Sequence, residues 1–73
     1  MGKLQALSGI DVCTILNRHG FVEVRQRGSH LVMQMKLLDT TITVPVPNHL
    51  ELRAGTLQSI IRQSGVPRSE FES

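Results

Sequence analysis

Two alternating runs that meet at Gly28-Ser29 constrain this chain more than any other feature. Over residues 21–26, Val22 and Val24 alternate with Glu23 and Arg25. Over residues 30–37, Leu31, Met33, Met35 and Leu37 alternate with His30, Val32, Gln34 and Lys36. A period of two marks half-buried strands, and a glycine at the junction supplies the positive φ of a tight hairpin turn. The loop is either Arg27-Gly28 or Gly28-Ser29. The first pairs Arg25 with His30 and Val24 with Leu31. The second pairs Arg27 with His30 and Val24 with Met33. Either register keeps the valines on the Leu31/Met33 face and sets an arginine beside His30 on the other.

Upstream, Ser8 and Asp11 form a capping-box pattern with aspartate in the glutamate position. Val12, Ile15, Leu16 and His19 then follow the spacing of an amphipathic helix. Gly20 can close it in a left-handed cap, which predicts a helix over roughly 8–19. Downstream, Asp39-Thr40 is a turn and residues 41–44 are a third strand. Pro45 and Pro47 end the sheet, since neither can donate to a ladder, and residues 45–53 form a loop. Gly55-Thr56 opens a second helix, with Leu57, Ile60 and Ile61 on one face, Gly65 as cap and Pro67 as stop. Residues 69–73 add a turn or fray. The predicted fold class is α+β, with the order helix, three-stranded antiparallel sheet, helix, as in double-stranded RNA-binding domains. Two helices cover the apolar face of the sheet, and the face bearing His30 stays wet.

Seventy-three residues make a single domain, 1–73. Its core is marginal and leaves little room for a deep cavity. This argues against a metabolic enzyme with an enclosed pocket and suits a shallow site for a polymer. Eight Lys/Arg against six Asp/Glu give a net charge of +2. Placement matters more than the total. Within residues 18–36, Arg18, Arg25, Arg27 and Lys36 face Glu23 alone. A polyanion-binding surface has this pattern, and so do ordinary solvating charges. The lone Cys13 rules out an internal disulfide, and its spacing from Val12 and Leu16 marks it as packed. No run can span a membrane and no signal-peptide pattern is present, so the expected location is cytoplasmic, with no membrane partner. Two phenylalanines, with no tyrosine or tryptophan, argue against recognition of single strands by base stacking.

An unprotonated imidazole among cations can take a proton from a ribose hydroxyl while the cations hold the phosphate. RNA cleavage by internal attack needs that base at the 2′-hydroxyl. It also needs charge stabilisation on the phosphate and, ideally, an acid at the leaving oxygen. His30 is the candidate general base. Arg25, Arg27 and Lys36 are candidate RNA-binding residues, with Gly28 and Ser29 at the turn. For the acid there is only His49, in a proline-rich loop where substrate contact and plain exposure are both open. Gly55 and Thr56 offer helix-start N–H groups to a phosphate, or form an ordinary helix start. His19, in a last helical turn, suits the helix dipole, and Met33 and Met35 are core residues. Three scattered histidines and one packed cysteine have no metal-ligand spacing, so neither a metal nor a small-molecule cofactor is expected. The alternative to a slow ribonuclease is a non-catalytic double-stranded RNA-binding module that uses the same face. Such a module usually carries a lysine cluster where its last helix starts. This chain has only Arg53 and Arg62 there, which favours the ribonuclease.

Four pieces in order then carry a resemblance over nearly the whole chain. They are Leu16-Asn17-Arg18-His19-Gly20-Phe21, Arg25-Gln26-Arg27-Gly28-Ser29-His30, Thr43-Val44-Pro45, and the run from Gly55-Thr56-Leu57 through Gln63-Ser64-Gly65. Together they resemble the HicA-type toxins, also called the YcfA-like family, small ribonucleases of bacterial toxin–antitoxin pairs. The resemblance implies a fold like that of double-stranded RNA-binding domains and cleavage of mRNA without a metal. It implies a catalytic histidine after a Gly-Ser pair, here His30, and a HicB-type antitoxin as partner. One departure stands out. The family often has Val-Pro followed by one residue and a histidine, whereas here the segment is Val44-Pro45-Val46-Pro47-Asn48-His49.

Overall fold

The computed structural model describes residues 2–72; Met1 and Ser73, the two ends of the expected 1–73 domain, lie outside them. Helix α1 spans Gly9–Arg18 and starts on the predicted capping box. Ser8 Oγ accepts the Asp11 N–H, and the Asp11 carboxylate accepts the Ser8 N–H, both at 3.0 Å. These two bonds satisfy donors that a helix start otherwise leaves open. Gly9 lets the first turn of α1 lie directly on backbone. A Cβ there would overlap the Pro47 carbonyl oxygen, and the Gly9 N–H donates to the His49 carbonyl at 2.9 Å. His19 caps the other end, and Gly20 follows at φ +97°.

Three antiparallel strands follow, β1 (Val22–Arg27), β2 (His30–Lys36) and β3 (Thr41–Pro47), in the order β1-β2-β3. The first hairpin turns through Gly28-Ser29, with Gly28 at φ +57°. Its pairs run Arg27 with His30, Gln26 with Leu31 and Arg25 with Val32. A bulge then falls between Glu23 and Arg25, so Glu23 rather than Val24 pairs with Met33, and Val22 pairs with Gln34. The extra residue inverts the parity of the strand beyond it. Val22 and Val24 therefore do not join the Leu31/Met33 face. They are 54% and 44% exposed.

The third strand also departs from expectation. It does not end at Val44 but continues through Pro45 and Pro47, which pair with Val32 and His30. Proline is tolerated because β3 is an edge strand, with one side free of any ladder. The loop accordingly begins at Asn48 rather than Pro45. Four residues, 37–40, close the second hairpin, with the Leu37 N–H on the Thr40 carbonyl at 2.8 Å. Leu37 lies beyond β2 and is exposed.

Helix α2 spans Ala54–Ser64 and ends at Gly65, φ +73°. Of the expected 69–73 segment, the described residues form the turn: Arg68–Phe71 are a 3-10 turn and Leu4 bridges to Glu72, while Ser73 lies outside the described residues. The turn is held to α1 by a 3.1 Å contact between His19 Nε2 and Glu70 Oε1. One face of the sheet, through Met33, Val44 and Val46, packs on Val12 and Leu16 of α1 and Leu57 and Ile60 of α2. Phe21, Leu7 and Phe71 complete that core. The architecture is thus the expected α+β arrangement, a helix, an antiparallel sheet and a helix, with one sheet face left uncovered.

Phe71 has no exposed surface, and its burial fixes a terminal segment that sequence periodicity left free. Phe71→Ala should lower stability by about 3–5 kcal/mol, a large share of what a small domain holds. A urea titration reads this as a lower midpoint. An unchanged midpoint would show that the turn is not part of the cooperative unit.

Candidate active site

The uncovered face is organised in rows across the three strands. The row nearest the turn holds Arg27, His30 and Pro47; the next holds Arg25, Val32 and Pro45; the third holds Val22, Gln34 and Thr43. Directly opposed residues bring their Cβ atoms to about 5 Å, so Arg27 and His30 are immediate neighbours. The bulge falls beyond Arg25, and both arginines therefore keep the parity of His30. The same bulge puts Glu23 opposite Met33, on the helix side. Among the described strand residues, the pairing leaves no acidic side chain on the His30 face. Among the described residues, the side chains of Arg25, Arg27 and His30 have no hydrogen-bonded or ionic partner. Two unneutralised cations beside an exposed imidazole favour an approaching anion.

Arg25, Arg27, His30, Val32, Thr43 and Pro45 line one open cavity of about 380 Å³. Val32 is its floor. It is only 7% exposed although no helix covers this side of the sheet. Gln34 Nε2 donates to Thr43 Oγ1 at 3.2 Å along the neighbouring row.

The structure brings together only some of the residues singled out from the sequence. His30, Arg25 and Arg27 meet in the cavity, and Gly28 and Ser29 form the turn beside it. Lys36 shares the face but ends β2 six residues from His30, about 20 Å along the strand. His49 is exposed and does not line the cavity. Its carbonyl faces α1, accepting from Gly9, while the Asn48 N–H ties the loop to the Ser29 carbonyl at 2.6 Å. Gly55 and Thr56 stand in the first turn of α2, in the helix layer, also outside the cavity. Sequence reading missed Thr43 and Pro45 as lining residues. Alternation continued from Ile42 through Val46 carries the signal, but stopping the strand at the first proline hides it.

A family model described as HicA toxin of bacterial toxin-antitoxin matches residues 9–66. That span holds both helices, the whole sheet and every residue of the cavity. Comparison with curated proteins and with solved structures gives no match.

Cys13, on α1, is the chain's lone cysteine. Burial pushes its thiol up to about 11, and the negative charge of Glu23 adds to the effect. The shift from 9.0 makes thiolate about a hundredfold scarcer at neutral pH than in an unfolded chain. Folded protein should therefore take up iodoacetamide about a hundredfold more slowly at pH 7.5 than urea-unfolded protein, as read by mass spectrometry. Equal rates would mean that Cys13 is neither buried nor held neutral.

Proposed function

The chain belongs to the HicA toxin family of bacterial toxin–antitoxin systems, and we propose that it is an endoribonuclease that cleaves mRNA without a metal ion, with His30 as general base. The observation that carries this reading is the acid-free sheet face on which Arg27 lies opposite His30 and Arg25 follows in the next row. A phosphate drawn to the two guanidinium groups brings the adjacent ribose 2′-hydroxyl within reach of the imidazole. His30 takes the hydroxyl proton as the 2′-oxygen attacks phosphorus. The P–O5′ bond breaks, leaving a 2′,3′-cyclic phosphate on one fragment and a 5′-hydroxyl on the other. Arg27, immediately beside His30, and Arg25, one row further, balance the charge that builds on the non-bridging oxygens. His49 lies outside the cavity, so the leaving oxygen takes its proton from water, to which the site is open. An enzyme with one positioned proton-transfer group is slow.

Membership of the family implies an antitoxin partner. We take it to be of the HicB type and to cover the His30 face. A partner offering carboxylates to Arg25 and Arg27 neutralises the charges that attract RNA, and its bulk excludes the strand.

Purified protein should cleave RNA in the presence of EDTA. Binding without cleavage would favour a non-catalytic RNA-binding module instead. His30→Ala should reduce cleavage about 10²–10⁴-fold and shift stability by no more than about 0.5 kcal/mol, since the side chain is exposed and unpartnered. Arg25→Ala should weaken binding and flatten its salt dependence. A well-folded His30→Ala protein that cleaves at the original rate sinks the assignment.

A further inference from the structure

The cavity beside His30 has an apolar interior that chemistry on a phosphate does not require. Val32 forms its floor, and Arg25 and Pro45, the cross-strand neighbours of Val32, form its two walls. Strands two apart in a sheet lie about 10 Å from each other. Side chains rising from β1 and β3 at that spacing can contact a flat ring on both sides. Both phenylalanines of the chain are fully buried, so neither can stack on a base. The face of the Arg25 guanidinium can stack on a base while its N–H edge still donates to the phosphate, and a proline ring gives a flat apolar surface on the opposite side. Successive rows on one face are about 7 Å apart, which leaves room for one sugar between a phosphate at His30 and a base over Val32. At the far end of the slot, Thr43 Oγ1 already accepts from Gln34, so its hydroxyl proton is free to donate to an acceptor on the base edge.

We propose that this slot seats one unpaired nucleobase of a single-stranded RNA, between Arg25 and Pro45 and over Val32, with Thr43 reading its edge. The substrate class is then single-stranded RNA. In a duplex each base is stacked and paired, and side chains do not reach between the bases of an A-form helix. The proposal rests on the ribonuclease reading only for the phosphate at His30.

The test uses the His30→Ala protein, to prevent cleavage, and a fluorescent ten-nucleotide single strand. The same strand is prepared with abasic riboses and, separately, annealed to its complement. Anisotropy at several salt concentrations should show the abasic and duplex forms binding on the order of tenfold more weakly than the single strand. Adding Pro45→Ser should close the gap between base-bearing and abasic strands while leaving the salt slope unchanged, because no phosphate contact is lost. Thr43→Val should narrow the spread of affinities among the four homopolymers, a readout independent of whether the Pro45 variant folds. Equal binding of base-bearing and abasic strands, tighter binding of the duplex, or no binding of the single strand overturns the proposal. Cleavage by the unmodified protein is scored separately. Cleavage with no preference for the base-bearing strand removes the slot and keeps the nuclease; base-dependent binding with no cleavage does the reverse.

Discussion

Everything on the two faces of this molecule depends on the register of its central strand. Leu31 and Met33 of β2 are buried on the helix side, and His30 and Val32 face away. A slip by one residue would carry the imidazole toward the helix layer and bring Met33 into water. The hydrophobic cost of such a slip fixes the site more firmly than any contact the site itself makes. His30 needs no partner to hold its direction, because the burial of its neighbours does so. The same division explains how a small domain can present an imidazole and two guanidinium groups without a pocket enclosed by extra elements. Both helices pack on one face, and the other is left open.

The bulge in β1 refines that arrangement. Without it, Glu23 would share a face with Arg25, Arg27 and His30. Its position between Glu23 and Arg25 inverts the strand only beyond the arginines. The carboxylate goes to the helix side, where it adds to the elevation of the Cys13 thiol, and the two cations stay with the imidazole. One extra residue thus sorts the charges of a single strand. The exposure of Val22 and Val24 is what this sorting costs in apolar surface left in water.

How much of this was legible in the sequence follows from the range of each signal. The α1 cap, a two-residue turn at Gly28 and the alternation of β2 are local, and in either turn register they set His30 beside an arginine on the wet face. The bulge carries no glycine and no break in alternation, so its location had no local mark. From sequence alone Pro45 and Pro47 end the sheet, because the penalty for proline depends on whether a strand is central or at an edge. That is a fact of tertiary structure, and missing it hid Thr43 and Pro45 from the cavity. Phe71 lies beyond the last periodic segment, and only packing against the rest of the core shows its role. His49 looked like a second proton-transfer group by residue type, whereas the bond from Gly9 to its carbonyl turns that backbone toward α1.

The irregularities at the two sides of the sheet have a consequence for the behaviour of the folded chain in a crowded solution. A three-stranded sheet exposes two rows of backbone groups, each a template for another strand. On β3 two of the seven positions are proline and offer no N–H to an incoming neighbour. On β1 the bulge breaks the even spacing that a partner strand must match, and Arg25 and Arg27 add like-charge repulsion between copies. The sheet is therefore difficult to extend from either side, and edge-to-edge polymerisation is disfavoured without a covering helix or a closed barrel. A protein with so small a core, and with one sheet face bare, gains protection from aggregation through the same residues that shape its cavity.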